Sequence, residues 1–346
     1  MVISLDRKII YAVIGLIIVV AAAAGGYYAF RPARVIKIGA VGPLSAPGAS
    51  IQGIELKKGI EMAIEDVNEA GGVLGRKIEL IFEDTMGMPE KGRAALEKLI
   101  KKDKVVGVVG EYHSSVVLAE IEVAHKYGIP FIDGSGWSDA IREKGYREVF
   151  ATSPYNTGNA EHVARFIKYA GFRNIVCIAE DTDYGINLAE RIGAALERLG
   201  VGAKYQYEVV SRTATDYTPT LLKYREMEPR PDLLVIAVTP PGGFLIIKQA
   251  YEIGLSPETI CYEVTGAGDR YTELWPAVGE AGKYLIFFTP YNPSAKLTEL
   301  GERVRAKYKE KYGEEPTYIV FNGYDCALAM IEAIKRAYES TLQEVV

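Results

Sequence analysis

From Val35 onward, short β-branched runs alternate with longer stretches of helical period. Val35–Val41 reads as a strand, and Ile54–Ala70 carries Leu56, Ile60, Ala63, Ile64 and Val67 on one face, the spacing of a half-buried helix. Ile78–Phe82, Val105–Val109 and Ile129–Ile132 continue the strands, with helices over Glu90–Lys102 and Ser115–Tyr127. A second series follows, with strands Ile175–Ala179, Ala203–Val210 and Leu233–Val238 and helices Tyr184–Leu199, Tyr217–Glu226 and Phe244–Ile253. Glycine closes most of the helical stripes, as at Gly128 and Gly313, because it enters the left-handed C′ conformation without a Cβ clash.

Buried strands alternating with capped helices predict parallel sheets covered on both faces. Two such series predict an α/β fold of two doubly wound lobes joined by a hinge. Ser153-Pro154 breaks the rhythm, and so does Thr289-Pro290-Tyr291-Asn292-Pro293 after the strand Tyr284–Phe288. The expected division is 35–151 plus 290–346 for lobe 1 and 152–289 for lobe 2, the helices Lys296–Tyr312 and Tyr318–Tyr338 returning to lobe 1. Ligands of doubly wound sheets bind beyond the carboxyl ends of the strands, so the two sets of loops should face one another across a cleft.

Residues 1–34 stand apart. Ile9–Phe30 holds no charged residue, follows Arg7-Lys8 and precedes Arg31. At about 1.5 Å per residue it reaches roughly 33 Å, enough to cross a bilayer. Tyr27 and Tyr28 suit the outer interface. An uncleaved N-terminal transmembrane anchor accounts for the whole apolar length; a signal peptide cut near Ala22-Ala23-Ala24 is the competing reading. Either one places the remainder outside the cell membrane.

The net charge of −5 lacks the basic surface that nucleic-acid phosphates require. The loop Gly42–Gly48 has no dinucleotide fingerprint, and Pro43 and Pro47 remove two N–H donors a phosphate cradle would use. Three histidines, His113, His125 and His162, are too scattered for a metal set, and Cys177, Cys261 and Cys326 read as buried free thiols. No nucleophile elbow is present. The expectation is a binding protein without cofactor or metal, not an enzyme.

Hydroxyl-bearing loops offer the binding chemistry. Ser114-Ser115 opens the helical stripe ending at Tyr127. One such hydroxyl suffices for an N-cap; two hydroxyls with free N–H groups also suit a carboxylate. Gly134-Ser135-Gly136-Trp137-Ser138 follows a strand end, and Trp137 is either packing or a wall of the cleft.

The order Gly42-Pro43-Leu44-Ser45, Gly48-Ala49-Ser50, Gly59, Asp66–Leu80, Glu83-Asp84, Ser114-Ser115, Gly128–Ile132, Asp183-Tyr184-Gly185, Gln249-Ala250, Gly254-Leu255, Pro316 and Gly323–Ala327 resembles the branched-chain amino-acid-binding proteins of ABC transporters, with the type I periplasmic-binding-protein fold. The resemblance implies capture of an amino acid or related small polar solute, amides, urea and aromatic acids being among those the family binds, and delivery to an ABC permease. A ligand-sensing ectodomain on the same fold is the alternative. It further implies Ser114 and Ser115 at the solute carboxylate, Ser135 offering loop groups, Tyr184 closing from lobe 2, Tyr318 as a wall and Glu263 at the α-ammonium. Gln52 and Thr239 stand at positions implied to be aromatic, and Trp137 at one implied to be small, so the pocket's shape is this chain's own. A further strand–helix portion and a third crossing are implied beyond Val346; ending there would leave a lobe 2 edge open to self-association.

Overall fold

The computed structural model describes residues 35–269 and 273–343, and the expected anchor Ile9–Phe30 lies outside the described residues. Among the described residues no helix is long and apolar enough to cross a membrane.

The first half runs β1 (Ile36–Gly42), α1 (Ser50–Glu69), β2 (Ile78–Asp84), α2 (Pro89–Lys98), β3 (Val108–Gly110), α3 (Ser114–Tyr127), β4 (Phe131–Asp133), α4 (Asp139–Glu143) and β5 (Val149–Ala151). The second half runs α5 (Asn156–Ala170), β6 (Asn174–Glu180), α6 (Asp183–Arg198), β7 (Lys204–Val210), α7 (Thr218–Arg225), β8 (Leu233–Ala237), α8 (Gly242–Glu252), β9 (Ile260–Glu263), α9 (Leu274–Val278) and β10 (Leu285–Phe287). Two long helices follow, α10 (Glu299–Tyr312) and α11 (Tyr318–Gln343).

Each half builds a five-stranded parallel sheet, in the orders β2-β1-β3-β4-β5 and β10-β9-β8-β6-β7. Counted from the first strand of each sheet the winding is the same, so both lobes have their switch point beside their first strand. Burial follows position: β8 lies in the middle and all five of its residues are buried, whereas the edge strand β7 is mostly open to solvent. The expected parallel α/β fold of two doubly wound lobes is what forms.

Several elements differ from the periodicity. Helix α5 spans 15 residues that the apolar pattern did not mark as a helix, because Ala160, Val163, Ala164 and Ile167 supply only a thin stripe among polar residues. Strands β5 and β9 were also unmarked, being three and four residues long. Helix α1 starts at Ser50, one turn before its stripe becomes visible.

Helix α11 lies across α1 at a crossing made of glycines. A Cβ on Gly59 would stand 2.1 Å from the Val320 carbonyl oxygen, and one on Gly323 would stand 2.2 Å from the Leu56 carbonyl oxygen. The two backbones touch directly there, which sets where α11 begins and therefore where Tyr318 stands.

Candidate functional site

The carboxyl ends of both sheets face one another around a cavity of about 220 Å³. Among the expected residues, Ser114, Ser115, Ser135, Trp137, Tyr184, Thr239 and Tyr318 line it. Gln52 and Glu263 do not. Gln52 is buried inside α1, and Glu263 stands behind the loop after β9, where its carboxylate accepts from the Thr265 hydroxyl and N–H and, at 3.2 Å, from the Ala267 N–H. That bonding holds Thr265, which does line the cavity.

Ser114 is not a side-chain cap. The N-cap position of α3 is His113, without a side-chain cap bond, and Ser114 Oγ instead accepts from the N–H groups of Trp137 at 3.0 Å and Ser138 at 3.1 Å. It thereby holds the β4–α4 loop against the start of α3. Ser115 reaches the other lobe, its Oγ accepting the Asp183 N–H at 3.2 Å. The Asp139 N–H donates to Asn187 Oδ1 at 3.1 Å, and Arg191 pairs with Glu143 at 2.6 Å, so the lobes are closed on each other.

The β4–α4 loop is shaped by Asp133, whose Oδ1 accepts from the N–H groups of Gly136 at 2.7 Å and Ser135 at 3.1 Å. Burial pushes the Asp133 carboxyl well above its usual range, against the lowering effect of those two bonds. Trp137 then packs edge-on to Tyr184, ring centroids 6.1 Å apart, and tilted against Tyr318 at 5.6 Å. Gly266 closes over this pair with φ +84°; a Cβ there would stand 3.0 Å from Trp137 and 3.1 Å from Tyr318. Three buried polar groups on the cavity wall have no partner among the described residues: Ser135 Oγ, Trp137 Nε1 and the Tyr184 hydroxyl. Such groups cost about 1–3 kcal/mol each when left unpaired in an interior. A polar solute would satisfy them.

The cavity's charged groups were missed in the sequence. Glu180 ends β6 and is buried; its Oε2 accepts from the Thr239 N–H at 2.7 Å and hydroxyl at 2.6 Å, and its Oε1 from the Thr182 hydroxyl at 2.6 Å. An acid closing an otherwise apolar strand, Ile175–Ala179, is the signal that could have found it. Arg212, in the loop after β7, also lines the cavity, as does His113, which the sequence marked only as too scattered from the other histidines for a metal set. His113 is buried, and its Nε2 accepts the Ala49 N–H at 3.1 Å. Arg212 Nη1 lies 3.0 Å from Nδ1 and 3.2 Å from Nε2 of that ring. Burial, then the guanidinium charge, hold the His113 pKa well below the usual value, so the ring is neutral. The three cysteines are buried free thiols, as expected.

Comparison with known proteins agrees with this architecture. Residues 35–346 match the family model described as periplasmic binding protein. Leu/Ile/Val-binding protein homolog 7 of Brucella abortus is 27% identical over 318 residues, covering 87% of this chain and 77% of that protein. The crystal structure of the leucine binding protein LivK from Thermotoga maritima superposes with a TM-score of 0.79 at 27% identity, covering 88% of this chain and 83% of that one. A solute binding protein of an ABC transporter from R. palustris, solved in complex with benzoate, shares the fold at TM-score 0.77 and 19% identity, covering 87% and 81%. With a family model spanning every residue from the first strand onward, and two matching parallel-sheet lobes closed on one cavity, this chain belongs to the periplasmic binding protein family.

Proposed function

We propose that the protein is the solute-binding component of an ABC transporter, catching an amino acid or related small polar solute between its lobes and presenting the closed form to a membrane permease. The observation that carries this reading is the cavity wall with Ser135 Oγ, Trp137 Nε1 and the Tyr184 hydroxyl all buried and unpartnered. The start of α3, with Ser114 and Ser115, suits a carboxylate, since a helix N-terminus presents free N–H groups and a favourable dipole. Glu180, on the facing lobe, suits an ammonium group, a role the resemblance had assigned to Glu263. The names of the Brucella and Thermotoga relatives support an amino acid as the solute. The uncharged segment Ile9–Phe30 supports retention at the membrane, with the binding domain outside. Catalysis has no part in this reading.

Native mass spectrometry of the full chain, released gently from detergent, tests it by weighing any co-purified solute, and titration calorimetry follows with that compound. Ser114→Ala should weaken its binding by about 1.5–3 kcal/mol if the start of α3 holds a charged group. An unchanged affinity for a carboxylate-bearing solute, with the fold intact, removes α3 from the site.

A further inference from the structure

The loops around the cavity are laid out by the strand orders. In lobe 1 the loops after β1 and β2 lie on one side of α3's start, and the loop after β4 lies on the other. In lobe 2 the loop after β7 lies at one edge, and the loop after β9 lies beyond β8 on the opposite side. The cavity therefore has two unlike ends. One has the aromatic pair Trp137 and Tyr318, with Thr265 beside it. The other joins Gly87, His113 and Arg212, with the His113 ring accepting the Ala49 N–H.

Arg212 is the informative group at that second end. Its backbone N–H donates to Asp181 Oδ1 at 2.9 Å, but no carboxylate of the described residues pairs with its guanidinium. Among the described residues its one side-chain partner is His113, which is neutral and offers no charge to balance it. Glu180 lines the same cavity, but no ion pair among the described residues joins it to Arg212; its oxygens accept from Thr182 and Thr239 and keep a lone pair for an ammonium group. A cation facing a closing cavity without a counter-charge loses hydration for nothing in return when the solute beside it is apolar. A guanidinium beside a carboxylate, in contrast, forms a short charge-assisted pair.

We infer that the solute carries a second anionic group, separate from the one met by α3, and that Arg212 holds it: the ligand class is a small dicarboxylate, with an acidic amino acid as the form that also uses Glu180. The inference rests on the solute-binding reading above and narrows it. Each charge of an acidic amino acid then has its own counter-group, the α-carboxylate at Ser114 and Ser115, the ammonium at Glu180 and the side-chain carboxylate at Arg212. A leucine-like solute would leave the partly buried Arg212 guanidinium without a counter-charge.

Titration calorimetry on the full chain tests this with L-glutamate, L-aspartate, L-glutamine, L-leucine and glutarate, for the wild type and for Arg212→Gln and Arg212→Lys. The expected result is saturable binding of the acidic amino acids, at least about ten-fold tighter than glutamine or leucine. Arg212→Gln should lower acid affinity roughly ten- to a hundred-fold while moving glutamine affinity little, and Arg212→Lys should restore part of the loss. Thermal midpoints of the variants report whether each is folded. Tighter binding of leucine or glutamine than of the acids overturns the inference and leaves the amino-acid reading standing. So does an acid affinity that Arg212→Gln leaves unchanged. Glutarate binding as tightly as glutamate, and lost in Arg212→Gln, upholds the Arg212 site but removes the amino acid. No binding by any of the five overturns the inference, and the mass of a co-purified solute then decides the broader reading.

Discussion

Replacing Gly59 by alanine sets two opposing effects against each other. Alanine is the better helix former, which by itself would stabilise α1 by about 0.8–1 kcal/mol. The new methyl, however, would stand 2.1 Å from the Val320 carbonyl oxygen and 2.9 Å from the Tyr324 N–H nitrogen, where ordinary contact begins at 3.4 Å. Both obstacles are backbone, so no rotamer change relieves them. Helix α11 must move off α1 by about 1 Å, loosening the packing of Leu56, Ile60, Val320 and Tyr324. Overpacking of this kind costs about 1–3 kcal/mol, occasionally more, so the steric effect wins. Because Tyr318 opens α11 two residues before Val320 and lines the cavity, solute affinity should fall as well. The control is Gly158→Ala in α5, where a Cβ meets nothing within 4 Å and stabilisation by up to about 1 kcal/mol is expected. Denaturant unfolding of the two variants beside the wild type gives the comparison. A Gly59→Ala protein as stable as Gly158→Ala would refute the close crossing of α1 and α11.

Two further outcomes follow from the buried carboxylates. Glu180→Gln keeps the shape of the site and removes its negative charge, so an α-amino acid should bind about ten-fold or more weakly while a carboxylate lacking the amine is nearly indifferent. Glu263→Gln, by calorimetry with the same solutes, should matter much less; the reverse ranking would return the ammonium site to Glu263. Glu120 is fully buried in α3 with neither oxygen hydrogen-bonded, and burial first, then the Glu111 and Asp133 charges, raise its pKa well above the usual value. A raised carboxyl stabilises the fold only while protonated, so its contribution is present at acid pH and is lost as pH rises through the folded pKa. Glu120→Met should therefore gain roughly 1–3 kcal/mol at neutral pH, a gain that shrinks as pH falls toward 4.5. A gain independent of pH in unfolding experiments would show that Glu120 does not titrate there.

Much of the architecture was written in local pattern. The alternation from Val35 to Ile253 gave the parallel lobes, since strand burial and helix amphipathicity are set by neighbours a few residues away. Glycines Gly128, Gly171 and Gly313 do end α3, α5 and α10 in the left-handed conformation. Hydroxyl-rich loops after strand ends were visible too, so Ser114, Ser115 and Ser135 could be named. The charged groups of the cavity were not. Arg212 is one basic residue among 40, and nothing in its neighbourhood along the chain separates it from a solvated surface charge; Glu180 is one acid among 45, marked only by its place at the end of the apolar run Ile175–Ala179. The placement of Arg212 against His113, 99 positions away, arises only when β7 takes the edge of one sheet and the lobes close. Sequence pattern reports what lies near along the chain, whereas a cleft between two lobes is made of groups far apart in it, so the fold was readable and the electrostatics of the site were decided by tertiary structure.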